Sequence, residues 1–200
     1  MALKFQYNKT SLQQLNRELN VRLGALPILA AKESALRLEV KRAREAVASI
    51  EKRLDEEYGG QKDTHRLWRE LPEGIVALRE VVMDYKKIAG VKTPVLRDAL
   101  FDVKRYSIAL QPAWVPQGVE AVKRLVRLRI EAQLAKRKVD LLEYARKKTT
   151  QKVNLYEKVQ IPEYQEAIRR IKRFMEDEDN LSKSAQKILK MKLAMQEAAS

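Results

Sequence analysis

Apolar residues recur at helical spacing along most of this chain. Leu12, Leu15 and Leu19 follow a three-four step, continued by Leu23 and Leu26. Leu36, Val40, Ala43, Val47, Ile50 and Leu54 then alternate steps of four and three without a miss. Such a stripe is the seam of a coiled coil. A second stripe runs through Val122, Val126, Ile130, Leu134, Leu141 or Leu142, Ala145, Thr149, Val153 and Tyr156. It resumes at Ile161, Tyr164, Ile168, Ile171 and Met175, and again at Leu181, Ala185, Ile188 and Met195.

Glycine and proline divide these stripes. Five of the six glycines and four of the six prolines fall between residues 59 and 118. Breakers mark turns and element ends, so the pattern predicts two helical arms around an irregular middle. The expected division is 1–58, 59–118 and 119–200. Ser11, with Gln14 three residues on, suits a capping box at the start of the first arm. Gly24 and Pro27 predict a bend or register shift there, not a helix end. Gly59-Gly60 ends the arm, and the second is expected after Gly118, beyond a loop "QPAWVPQG". The middle alternates Val, Ile, Tyr and Phe, which predicts a β-hairpin at about 81–109. Its turn chemistry is read in "VKTPVLRDA", and "RLWRELPEGIVALRE" before it suits a short helix.

Neither stripe is buried by its own helix. Packing the two against each other, antiparallel, is the economical solution. The expected fold class is therefore mainly α: two long N- and C-terminal helices in an antiparallel coiled coil, with a small middle region bearing a short hairpin. The second arm is the longer, so part of its stripe must fold back or meet a partner. Pro162 interrupts it. A proline inside a helix removes a hydrogen bond and clashes with the preceding turn, and the step from Tyr156 to Ile161 is five residues. Two outcomes fit: a helix that continues with a bend, or one that restarts with Pro162 in its first turn.

Composition changes the picture in one respect. Three Phe and two Trp are few for a compact core, and a third of the residues are charged, which suits long helices with a narrow seam. The net charge of +14 points to an acidic partner without choosing nucleic acid, membrane or protein. Basic residues alternate with acidic ones, as on a solvated helix face. No cysteine is present, which excludes disulfides and thiolate zinc sites. No apolar run approaches the ~20 residues of a membrane span, and "MALKFQYNKT" lacks a signal peptide's apolar region. The expected location is cytoplasmic.

Catalytic patterns are absent. No phosphate-binding glycine loop can be drawn from the six glycines. Any histidine-dependent triad would rest on His65 alone, which is expected to be exposed or capping. The run Glu176-Asp177-Glu178-Asp179 puts its carboxylates on different sides of a helix, so a solvated cluster is expected, not a cation site. The residues leave three non-catalytic readings open. These are a basic coiled coil on nucleic acid, a holdase or tether with the hairpin as its tip, and a shaft inside a larger assembly.

Several strings resemble, in order along the chain, the D subunit of V-type/A-type rotary ATPases (ATP synthases). They are "NKTSLQQL", "ILAAKESALRLEV", "IAGVKTPV", "PAWV" and, most specifically, "KVNLYEKVQIP". Ala30, Glu33-Ser34, Leu155-Tyr156 and the tail after Phe174 depart from the family's usual residues. The resemblance implies the same helical fold and a central rotor shaft, not an enzyme. Such a shaft passes torque between ATP hydrolysis or synthesis in a catalytic head and ion translocation by a membrane ring. It implies no catalytic residue, cofactor or metal. Implied partners are the head's catalytic and regulatory subunits, a small companion stalk subunit, and a funnel-shaped connector to the ring. Nucleic acid and direct membrane insertion are not implied, so the chain would be peripheral to a membrane-bound complex. Implied partner contacts are Lys152, Val153, Asn154, Glu157, Ile161 and Pro162, together with Ile88, Gly90, Val91 and Pro94. The loops around Gly59-Gly60 and Pro116–Gly118 would face the connector.

Overall fold

A computed structural model describes residues 4–60, 67–107 and 111–198, without the side chains of 196–198. His65 lies outside the described residues. The fold class is the expected one. Helix α1 spans Lys9–Gly59, strands β1 and β2 span Val76–Ile88 and Val91–Val103, and helices α2 and α3 span Val115–Leu155 and Ile161–Ala198. A 3₁₀ turn covers Leu67–Glu70, within the stretch expected to add a short helix, and a π-helical turn covers Tyr156–Gln160.

Helix α1 starts differently from expectation. Asn8 is its cap: the Asn8 Oδ1 accepts the Ser11 N–H at 2.7 Å, while Ser11 Oγ accepts the Gln6 N–H. Asparagine caps at least as well as serine, and the N–H of residue 11 is one of the donors a helix start leaves unpaired. The helix continues through Gly24 and Pro27, as expected. Pro27 is exposed, so water can satisfy the carbonyl four residues back that its missing N–H leaves free. A Cβ on Gly24 would meet nothing within 4 Å. Gly24→Ala is therefore expected to raise stability by about 0.5–1 kcal/mol, read as a higher urea midpoint at unchanged slope.

The chain forms two compact units, residues 1–31 with 149–200, and residues 32–148. In the first, Leu15 packs with Tyr164, Ala167, Ile168 and Ile171, joined by Leu12, Leu19, Phe5 and Met175. Low numbers meet high ones: the rings of Tyr7 and Phe174 meet at a tilt with centroids 4.9 Å apart, and Arg22 reaches Gln160. The packing is antiparallel and follows the predicted stripes, except that Leu23 faces solvent.

In the second unit, Leu36, Val40 and Ala43 pack with Leu142, beside Val139 and Ala145. Arg44 pairs with Glu143, Glu51 with Lys136 at 2.6 Å, and Glu57 with Arg124 at 3.1 Å, so α1 and α2 are again antiparallel. Helix α2 begins at Val115, earlier than the expected start after Gly118. Val115 and Val119 are buried with Ile75, against Leu71, Val76, Tyr106 and Trp114, and that burial outweighs the local breakers. Pro116 sits in the first turn, where its missing N–H costs nothing. Gly118 lies against the Trp114 ring, where a Cβ would come within 2.5 Å.

The hairpin turns on two residues, Ala89 and Gly90, with φ of 48° and 83°. Positive φ at both positions matches the twist of the strands. The stretch "VKTPVLRDA", expected to turn, is instead the first part of β2. Pro94 is tolerated there because both strands of a two-stranded sheet are edges. The ladder slips at Arg79 and Arg97. Ile88, Ala89 and Val91 pack on the Leu36–Leu142 cluster. Thr93 is fully buried, and its hydroxyl donates to the Lys86 carbonyl at 3.0 Å. Asp98 pairs with Arg127.

Candidate functional site

The implied contact residues of the first group gather around the π turn. Lys152 and Asn154 are exposed at the end of α2, Val153 is half-buried, and Glu157 is exposed in the turn itself. Ile161 is buried in the helix seam, whereas Pro162 is exposed. Ile161 is thus a packing residue in this chain, and the others present polar or apolar surface. The Ile161 N–H donates to the carbonyl of Tyr156, five residues back instead of four. One surplus residue is therefore accommodated at the five-residue step of the stripe. In a regular helix the Pro162 ring would strike the carbonyl of Lys158; the wider turn relieves that contact.

A polar cluster from α1 holds this turn. The Nε of Arg22 donates to Gln160 Oε1 at 2.9 Å, and its Nη1 to the Glu18 carbonyl at 2.9 Å. The Arg22 guanidinium lies 4.2 Å from the centre of the Tyr164 ring, a cation–π contact. The Tyr164 hydroxyl donates to Glu18 Oε2. That bond and one from Gln14 hold the Glu18 carboxyl below its ordinary range. Burial, and then the bond to Glu18, push the Tyr164 hydroxyl above its ordinary range. The signs follow from linkage. Glu18 contributes stability above the ordinary carboxylate range, lost as pH falls through its lowered value. Tyr164 contributes stability below the ordinary tyrosine range, lost as pH rises through its raised value. Tyr164→Phe is expected to flatten both limbs of the melting temperature against pH, the acid one below the ordinary carboxylate range and the alkaline one above the ordinary tyrosine range. Unchanged limbs would show that the pair contributes nothing.

The second implied group lies at the hairpin tip, in the other unit. Ile88 and Val91 face the helices. Gly90 is exposed and needs its positive φ. Pro94 pairs across the ladder with Tyr85, and Leu96 with Met83. These two pairs share one face, where Met83 and Tyr85 are exposed. Lys92 Nζ sits 4.4 Å from the Tyr85 ring centre.

A long run of exposed apolar side chains lies on α3. Leu181 and Met195 are 72% and 69% exposed, and Ile188, Leu189, Met191 and Leu193 are also exposed. The stripe identified in the sequence thus continues past the last packed residue, Met175, onto open surface. The Glu18–Arg22–Gln160–Tyr164 cluster is not identified from the sequence; its local traces are the four-residue spacings of Glu18 and Arg22 and of Gln160 and Tyr164. Among the described residues no group of His, Asp or Glu side chains is placed to hold a metal ion. The side chains of Glu176–Asp179 are exposed. No helix among the described residues is long and apolar enough to cross a membrane.

Comparison with known proteins matches this chain over nearly its whole length. It is 28% identical over 196 residues to the D subunit of the V-type ATP synthase of Borreliella burgdorferi, covering 95% of each chain. It is 25% identical over 203 residues to the protein of the same name in Chlamydia pneumoniae, covering 99% of this chain and 97% of the relative. For Chlamydia trachomatis serovar L2 the identity is 27% over 198 residues, covering 96% and 98%. The profile of the ATP synthase D-subunit family matches residues 11–191, and the chain belongs to that family.

Proposed function

We propose that this protein is the non-catalytic central shaft of a V-type rotary ATPase, carrying torque between ATP turnover in a catalytic head and ion movement through a membrane ring. The observation that supports this most directly is the near-complete overlap with proteins named as D subunits of V-type ATP synthases. The paired antiparallel helices suit the duty, since a packed seam resists bending and twisting better than one helix. The exposed apolar face of α3 suits an end that is enclosed by other subunits.

In this reading the arms 1–58 and 119–200 form the shaft, with both termini inside the ring of catalytic and regulatory head subunits. Lys152, Val153, Asn154, Glu157 and Pro162 lie within or near the head. The middle region 59–118 carries the hairpin, whose Met83–Tyr85–Pro94 face meets the small companion subunit. The Gly59-Gly60 and Pro116–Gly118 loops meet the funnel-shaped connector. The shaft holds no cofactor and is peripheral to the membrane.

Co-purification from the native cell tests the assignment. The chain is expected to bring down large nucleotide-binding subunits, themselves in molar excess over it. Recovery alone would overturn it. So would recovery on nucleic acid, with an affinity that falls steeply with salt as phosphate contacts require.

A further inference from the structure

We propose that the π turn is a fixed torsional joint, with Pro162 pinning one surplus residue at Tyr156–Gln160 so that α3 can twist there without slipping in its seam. Three independent features meet at this point. The apolar stripe steps from Val153 to Tyr156, Ile161, Tyr164 and Ile168, and removing one residue between Tyr156 and Ile161 would make it a regular three-four alternation. The backbone places that residue in a turn with a five-residue hydrogen bond. Pro162 follows at once.

The proline is what keeps the turn in place. A surplus residue in a helix can in general sit at many positions. If this one moved a full turn toward either end, residues 158–162 would become regular α-helix, and the Pro162 ring would meet the Lys158 carbonyl. A widened turn that ends directly before Pro162 avoids that contact. The clasp from α1 then restrains the joint without closing it: Arg22 holds Gln160 on its near side, and Glu18 holds Tyr164 on its far side. Helix α1 has weak points of its own just beyond Arg22. Gly24 carries the conformational freedom of glycine, and Pro27 withholds a hydrogen bond. Both helices of this unit therefore have weakened backbone ladders in the same neighbourhood. Of the stripe residues before and after the joint, Val153 is half-buried and Ile161 buried.

The test uses the full-length chain by itself, so its outcome is separate from any outcome on assembly with other subunits. Three variants are compared with the natural chain: deletion of Lys158, Pro162→Ala, and the two combined. Deletion alone forces the proline into a regular helix, and is expected to lower the folding equilibrium constant on the order of 100-fold. Adding Pro162→Ala to the deletion should restore it to within about fivefold of the natural chain, because a continuous α-helix then becomes possible. Amide hydrogen exchange reads the joint directly. In the natural chain the amides of Tyr156–Ile161 should exchange at least about tenfold faster than those of Tyr164–Ile171, and in the combined variant the gap should close. A deletion tolerated with Pro162 in place would overturn the proposal. Equal exchange on both sides of Pro162 in the natural chain would also overturn it.

Discussion

Leu142→Ala is expected to destabilise the 32–148 unit by about 3–5 kcal/mol, at the upper end of the cost of core leucine truncations. Leu142 is fully buried, and so is Leu36, with Val40 and Ala43 completing the cluster. A two-helix seam is only one layer of side chains deep. A hole in it can be filled only by moving a helix or the hairpin tip that covers it. The hairpin tip packs on the same cluster through Ile88, Ala89 and Val91, so the loss should also loosen the tip. Leu38→Ala provides the control. Leu38 is half exposed on α1, two residues from the buried Leu36, and its truncation should change stability by about 0.5 kcal/mol or less. Chemical denaturation followed by circular dichroism measures both. A loss below about 1 kcal/mol at Leu142 would mean the seam there is not the stabilising layer described above.

Truncation after Asn180 should have the opposite profile. Residues 181–195 bury no side chain among those described, so removing them takes away no packed contact within the chain. The melting temperature of the remainder is expected to be essentially unchanged. Association with the other subunits of the complex should weaken by about 100-fold or more, as losing two well-buried apolar anchors would require. A stripe of Leu181, Ile188, Met191 and Met195 on one face is larger than a soluble helix needs to expose. If the truncated chain assembled with unchanged affinity, the apolar face would not be a contact surface. If truncation lowered the melting temperature by several degrees, the segment would contribute to the chain's own fold.

Much of this is legible in the sequence, for a specific reason. Long helices are encoded by spacing, and spacing is local. Leu36, Val40, Ala43 and Leu54 announce a seam, and all four are buried. The five-residue step at Tyr156–Ile161 marked the place of the surplus residue, although not its π geometry. Where a breaker's meaning depends on distant packing, the reading moved. Pro116 and Gly118 suggested a loop, but burial of Val115 and Val119 draws them into α2. Pro94 suggested a turn, yet Ala89-Gly90 makes the turn and Pro94 lies along β2. Ser11 looked like a cap, and its neighbour Asn8 serves instead.

The partner-contact residues divide in the same way. Resemblance picked out Lys152–Pro162 and Ile88–Pro94 as strings, and a string does not tell inward from outward. Ile88, Val91 and Ile161 turn inward, while Lys152, Asn154, Glu157, Gly90 and Pro162 are exposed. The cluster of Glu18, Arg22, Gln160 and Tyr164 joins residues 138 and 146 positions apart in sequence, and no local pattern brings those side chains together.

By itself, the sequence determined that this protein is two long helices around a hairpin-bearing middle. A period of 3.6 and a supply of breakers are enough to settle which segments coil. It also determined the family, through strings spread in order along the chain. Tertiary structure decided which residue fills each turn and cap, which side of each strand is covered, and how a proline fits inside a helix. Those outcomes depend on contacts between residues far apart in sequence. For Pro162 the deciding fact is that its ring and the carbonyl four residues back cannot share a regular turn, so the helix widens by one residue just before it.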